Sequence, residues 1–264
     1  MTEIKIPIPT QPDNFWTLRH LNEVDSTNRV AADLARKGFP EGQVILADHQ
    51  SAGRGRLDRE WIDTPGSSVL VSVLLRPKFS PQFFFLITFA LSLATSQVLR
   101  RKFSIPCKLK WPNDVMVSDS KIAGILAEAS FDGSENAWVI IGMGLNCLQS
   151  EEVLASIGRS ATSIFAETRV TLDLGGRISL AQEIVEQFMV LYLSLSDPVE
   201  RKALGRLYRD SCETIGSLVK VEMVEETLIG VATDISVEGN LLVETDDSTR
   251  VVPAGDVVHL RKTT

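Results

Sequence analysis

With 264 residues, 44% of them hydrophobic and 23% charged, the chain has the make-up of a soluble globular protein, long enough for one main domain and a small second one. A formal net charge of -7 and a pI near 5.1 argue against a broad nucleic-acid surface, which relies on many Lys and Arg contacts to phosphate. The start has no basic region followed by a long apolar run, and the longest apolar stretch, residues 83–91, is interrupted by Thr88, whereas a span needs roughly 20 apolar residues. The expectation is a cytoplasmic protein without membrane contact. Cys107, Cys147 and Cys212 are odd in number and far apart, which fits reduced thiols better than a disulfide frame or a zinc site.

After a short irregular lead, Asp25-Ser26-Thr27-Asn28 precedes residues 29–37, with Val30 and Leu34 on one face and Gly38 directly after; this predicts a short capped helix. Residues 44–47 read as a strand, and the β-branched, apolar run 68–75 as a buried one ending at Arg76-Pro77. From Pro81 to about Lys102, Phe84, Ile87, Leu91, Ala94 and Val98 recur at helical spacing, so this segment is a packed helix rather than an anchor. A meander follows over 108–111, 115–117 and 121–129 and is closed by 137–146, with turn residues at Pro112-Asn113-Asp114, Ser118-Asp119-Ser120 and Asp132-Gly133. A second helix is expected over 180–193. Beyond about Cys212, short Val-rich runs broken by Gly216, Gly230, Gly239 and Pro253 predict a small β-barrel.

The segment 51–61 gathers Arg54, Arg56 and Arg59 around Gly53 and Gly55 in an otherwise acidic chain. Glycine lets the backbone come close to a ligand, and arginine presents forks of donors that match carboxylate and phosphate oxygens. The loop therefore reads as a clasp for a small anion. It is neither a P-loop, since no Gly-Lys-Ser/Thr follows, nor a dinucleotide fingerprint, since the spacing fails. Taken alone it could equally be a solvated basic loop neutralised by Asp58 and Glu60.

Three further segments accompany it in order: Lys110-Trp111-Pro112-Asn113-Asp114, the run 121–128 that opens on Lys121 and contains Gly124, and the run 141–146 with Gly142 and Asn146. Together with Ser26-Thr27-Asn28 and the run 230–243, this ordered set resembles the biotin–protein ligases over about residues 21–260. The resemblance implies an α+β fold, a central mixed β-sheet with helices packed on it as in class II aminoacyl-tRNA synthetases and biotin/lipoyl ligases. It further implies a catalytic domain over 1–213 and a small C-terminal SH3-like β-barrel over 214–264. The implied activity is ATP-dependent and AMP-forming: biotin and ATP, with Mg²⁺, give biotinyl-5′-AMP, and a lysine of an apo biotin carboxyl carrier domain then accepts the biotin. Monomer and homodimer both remain open.

By the same resemblance Lys121, Arg54 and Arg56 are the catalytic residues, acting on charge that develops between carboxylate and phosphate. Ser26, Thr27, Asn28, Gln50, Gly53, Arg54, Gly124 and Gly142 are the implied biotin contacts. Arg54, Gly55, Arg56, Arg59, Trp61, Lys110, Asn113, Lys121 and Asn146 are the implied adenylate contacts, with residues 161–164 beside the adenosine. Asp114 is expected to serve Mg²⁺ or the acceptor lysine, and no metal cluster made of protein ligands alone is expected. His49, beside Gln50, has no partner visible in sequence and reads as a surface or packing residue, and Trp111 as packing.

Two departures from the family pattern stand out. Asp58 occupies the place of a third loop glycine, which predicts retained activity with altered loop closure, since Asp tolerates positive φ better than most residues. Only some twenty residues precede Asp25, too few for the DNA-binding domain of about sixty residues in bifunctional members, so DNA binding is not expected. A lipoate or octanoate ligase or transferase of related fold, and a non-catalytic biotin or adenylate sensor, are the competing readings.

Overall fold

A computed structural model of the protein describes residues 2–8, 11–56, 59–130, 137–156, 160–223, 226–253 and 255–260. The chain runs β1 (Thr2–Ile8), β2 (Gln11–Val24), α1 (Thr27–Arg36), β3 (Gln43–Gln50), β4 (Ser68–Leu75), α2 (Phe85–Phe103), β5 (Lys108–Lys110), β6 (Asp114–Val117), β7 (Ser120–Ser130) and β8 (Trp138–Asn146). It continues through α3 (Glu151–Ser156), α4 (Ile164–Thr168), α5 (Leu174–Ser194), α6 (Pro198–Ser211), β9 (Leu218–Glu222), β10 (Thr227–Ile235), β11 (Leu241–Glu244), β12 (Thr249–Val252) and β13 (Asp256–His259).

The first eight strands form one sheet in the order β1-β2-β3-β4-β8-β7-β6-β5. Among the described strands only β2 and β3 pair in parallel, so the sheet is mixed, as expected. The lead before Asp25 is not irregular: it forms β1 and β2, paired antiparallel from Thr2 with His20. Prolines at positions 7, 9 and 12 mask a period-two pattern in which Ile6, Trp16 and Leu18 are fully buried.

Helices cover both faces of this sheet. On one, α1 packs Ala31 and Ala35 onto Ile45, Leu74 and Ile140, with Val30 and Leu34 only at the margin. The helix starts two residues earlier than the capping pattern predicts. Its first N–H groups are held differently too: Asp25 Oδ1 accepts from the Ser26 N–H at 2.6 Å and Gln50 Oε1 from the Thr27 N–H at 2.7 Å, while the Ser26 side chain makes no cap bond. On the other face α2 lies against the sheet beneath α5 and α6. The segment Pro81–Phe103 is apolar and long enough to cross a membrane, yet 78% of its most apolar window is buried inside the protein, which makes it a core helix. The helix expected from residue 180 starts at Leu174 instead, where Asp173 caps it by accepting from the Gly176 N–H at 2.7 Å. Gly175 and Gly176 hide that first turn from the hydrophobic pattern. Helix α6, unread in the sequence, has the same logic: Asp197 accepts from the Val199 N–H at 2.7 Å and Pro198 stands in its first turn.

The last five strands form a separate antiparallel sheet, β12-β11-β10-β9-β13. Val219, Val221, Ala232, Leu241, Val243, Val252 and Val257 point into its core. The turn at Gly239, with φ of 98°, seats against Phe85 and Phe89 of α2, and the buried Trp111 indole N–H donates to the Gly239 carbonyl at 3.0 Å. Trp111 is thus a packing residue that joins the two sheets.

Candidate active site

A cavity of about 380 Å³, within the usual range for small-molecule sites, is walled by the N-terminus of α1, the 54–61 loop, β6, β7, β8 and β13. It brings together Ser26, Thr27, Asn28, Gln50, Arg54, Gly55, Arg56, Arg59, Trp61, Lys110, Asn113, Asp114, Lys121, Gly124 and Gly142 from distant stretches of sequence. Of the expected residues, Gly53 and Asn146 are not among its lining. Gly53 faces an adjoining cavity of about 610 Å³ that shares Ser26, Arg54, Gly55, Arg56 and Arg59. Asn146 is buried at the end of β8, where its side-chain amide donates to the Thr162 carbonyl at 2.9 Å. It holds the 161–164 segment in place rather than facing the cavity.

The loop is a tight hairpin. The Trp61 N–H donates to the Gly53 carbonyl at 3.0 Å, Arg54 bridges Glu60, and the Gly55 N–H donates to the Arg59 carbonyl at 2.6 Å. A Cβ on Gly53 would stand 2.7 Å from the Trp61 carbonyl oxygen, so the close strand approach requires glycine there. Asp58 lies outside the described residues. The hairpin returns Trp61 over the sheet, where its ring covers Gly124 and Gly144 and sits 5.7 Å from the Lys121 ammonium.

One end of the cavity is a buried polar relay. Gln50 Oε1 accepts from both the N–H and the hydroxyl of Thr27, at 2.7 and 2.9 Å. The Ser72 hydroxyl lies 2.7 Å from Thr27 Oγ1 and 2.6 Å from Asn28 Oδ1, with one proton to share between them. A side chain at Gly142 would collide with Asn28 Oδ1, so this glycine gives the amide its seat on the sheet. Asn28 in turn donates to Glu128 Oε2 at 2.6 Å, and Glu128 Oε1 accepts from Arg54 at 3.1 Å.

The other end is charged. Lys121 pairs with Asp114 at 2.6 Å. Arg56 donates to Asn113 Oδ1 and to the Gly255 carbonyl, both at 3.3 Å, so the loop is tied to the second sheet. Asn113 is itself fixed to Ile125 of β7 by two bonds, its side-chain amide donating at 2.5 Å and its carbonyl accepting at 3.0 Å. Behind Lys110, burial pushes the Glu213 carboxyl up and the His259 imidazole down, and the Lys110 charge lowers both.

Three features escape a reading of the sequence. His49, expected as a surface or packing residue, has a partner: its Nδ1 lies 3.1 Å from Asp63 Oδ2, and Asp63 has a fully buried side chain whose carboxyl burial pushes up against the opposing effect of His49. The pair closes the base of the 51–61 loop. Ser72 was findable as a buried hydroxyl inside the apolar run 68–75, since such groups require partners. Glu128 closes the run that opens on Lys121 and had no partner that spacing alone could supply.

Comparison with known proteins identifies the family to which this fold belongs. Residues 21–146 match the Biotin/lipoate A/B protein ligase family, and residues 214–260 match the Biotin protein ligase C terminal domain. The biotin--[acetyl-CoA-carboxylase] ligase of Mycobacterium tuberculosis is 34% identical over 256 residues, covering 92% of this chain and 90% of that protein. The bifunctional ligase/repressor BirA of Bacillus subtilis is 29% identical over 262 residues, covering 97% and 78%. The biotin protein ligase of Aquifex aeolicus in complex with biotin and ATP superposes with a TM-score of 0.73 at 27% identity, over 93% of this chain and 99% of the other. A mutant of the Aquifex aeolicus ligase in complex with biotin gives 0.77 at the same identity, over 93% and 98%. Fold and cavity thus define a protein ligase of the biotin/lipoate type, with a small SH3-like second sheet. Within that class, the chain belongs to the biotin protein ligase family.

Proposed function

We infer that the protein activates biotin with ATP to biotinyl-5′-AMP and passes the biotin to a lysine of an apo biotin carboxyl carrier domain of a biotin-dependent carboxylase. The observation that carries this reading is the convergence of Arg54, Arg56 and Lys121 with the Thr27–Gln50–Asn28 relay in one cavity, in a chain of this family.

Biotin has an uncharged bicyclic urea head on an apolar chain that ends in a carboxylate, so head and chain need a few fixed hydrogen-bond partners and a smooth wall. Ser26, Thr27, Asn28 and Gln50 serve the ureido end, and Gly124, Gly142 and the Trp61 ring serve the chain. Its carboxylate oxygen attacks the α-phosphorus, the bond to the bridging oxygen breaks, and pyrophosphate leaves. Two anions meet in that step, and a cation 4 Å from an anion is worth about 4 kcal/mol at an effective dielectric of 20 before desolvation. Lys121, Arg54 and Arg56 supply that charge, with Asp114 keeping the ammonium in place. Gly53, Gly55, Arg59, Lys110 and Asn113 serve the loop backbone and phosphate oxygens, and Asn146 supports the adenosine side through the Thr162 backbone. An acceptor amine then attacks the acyl carbon and AMP leaves. Closure of the 51–61 loop over the anhydride keeps water from it.

Among the described residues no group of three His, Cys, Asp or Glu is set to hold a metal. Asp114 and Asn113 are hard oxygen donors of the kind that suit a Mg²⁺ carried mainly by ATP phosphates, where it would neutralise phosphate charge. Residues 1–213 act as the catalytic domain and 214–264 as the SH3-like appendage, in a cytoplasmic monomer or homodimer.

The test is mass spectrometry of a carrier domain incubated with the protein, ATP, Mg²⁺ and either biotin or lipoate. One biotinyl adduct on the target lysine, with the lipoate arm blank, is expected. No biotinyl adduct, or a lipoyl adduct in its place, overturns the reading.

A further inference from the structure

Glu128 sits beside Arg54 on the wall of the adjoining cavity and is not among the residues that line the first. Its carboxylate is divided. Oε2 accepts from Asn28 at 2.6 Å, and through Asn28 it reaches Ser72, Thr27 and Gln50. Oε1 accepts from Arg54 Nη2 at 3.1 Å. A guanidinium has five N–H donors, so this single bond orients the fork while leaving donors to spare for ligand oxygens. Strand β7 fixes the backbone of Glu128, which is paired with Ile140 in the sheet register, and Asn28 holds the carboxylate. The loop arginine thereby receives an anchor in the rigid sheet.

We propose that Glu128 is a positioning residue for adenylate formation, which aims Arg54 and couples the loop hairpin to the buried relay at Asn28. This rests on the function inferred above and adds to it how the clasp is held. Replacement by Gln separates the two bonds. The amide oxygen still accepts from Asn28, whereas the amide N–H₂ would face Arg54 with donors opposed to donors and no charge. An effect confined to the Arg54 side is therefore expected.

The experiment compares wild type, Glu128→Gln, Arg54→Gln and the double variant. Hydrogen exchange at the Gly55 and Trp61 amides is read without ligand, and pyrophosphate release is read with biotin and ATP. Glu128→Gln should exchange about fivefold faster at both amides and lose about tenfold in kcat, with KM for biotin within about twofold, and it should add nothing in the Arg54→Gln background. Glu128→Asp, which keeps the charge, should recover part of kcat at an unchanged thermal midpoint. Wild-type exchange in Glu128→Gln, a rise in KM alone, or the same loss with and without Arg54 would overturn the proposal. If wild type releases no pyrophosphate while the exchange pattern holds, the functional reading falls and the latch stands.

Discussion

At the relay end of the cavity, Thr27, Asn28 and Ser72 are buried and bonded to one another, while at the loop end Arg54 keeps 55% of its side chain exposed and holds a single carboxylate. The first group sits on a helix start and the central strand β4. The second sits on a hairpin anchored at its base and by few side-chain bonds. Buried, mutually satisfied hydrogen bonds fix shape, because any member left alone costs the full desolvation of its polar group. Exposed ion pairs are weak and adaptable, which suits an arginine that keeps one carboxylate while its other donors turn to a ligand anion. Recognition of an uncharged ring and management of shifting charge thus call for opposite degrees of rigidity, and the cavity provides both.

That contrast can be broken from either side. The largest effect is expected from Lys121→Gln, which removes the ammonium beside Asp114: adenylate formation should fall by about 10²–10³ in kcat while calorimetric biotin affinity is kept. Equal loss in both would mean that the charged end also shapes recognition. Gly142→Ala acts on the relay instead, driving a methyl into Asn28. Overpacking of about 1–3 kcal/mol corresponds to roughly five- to 150-fold weaker biotin binding by titration, with kcat at saturating biotin little changed.

The smallest effect concerns His259, half-buried against Thr214 at 3.2 Å, whose imidazole is pushed down first by burial and then by Lys110. A base with a lowered folded pKa binds fewer protons folded than unfolded. Its stability contribution is therefore complete above the ordinary value of 6.5 and is lost as pH falls through the folded value. Thermal midpoints at neutral and mildly acid pH should drop less in His259→Gln than in wild type, by under about 4 °C. A steeper acid loss in the variant would reverse the sign assigned to this group.

How far the sequence reveals this depends on the range of the interaction. The run 68–75 appears as the strand predicted, and α2 and the 108–146 meander follow their periodicity, because each pattern is local. Ends of elements depend on partners elsewhere: α1 begins at Thr27 because Gln50, across 23 positions, takes its first N–H. The loop arginines, Lys121 and the glycines stood out through unusual residue types in an ordered set. His49 with Asp63 and Glu128 with Arg54 did not, since a carboxylate in a sequence carries no sign of which side chain will face it 14 or 74 residues away.

The apolar segment Pro81–Phe103 has a further consequence for synthesis. Its covering helices lie at residues 174–194 and 198–211, so for about a hundred residues of translation a segment whose most apolar window has a mean hydropathy of 1.6 has the sheet on one side but lacks these helices on the other. The newborn protein is then at its most vulnerable to clumping or misrouting, and a premature stop before residue 174 would strand it there permanently.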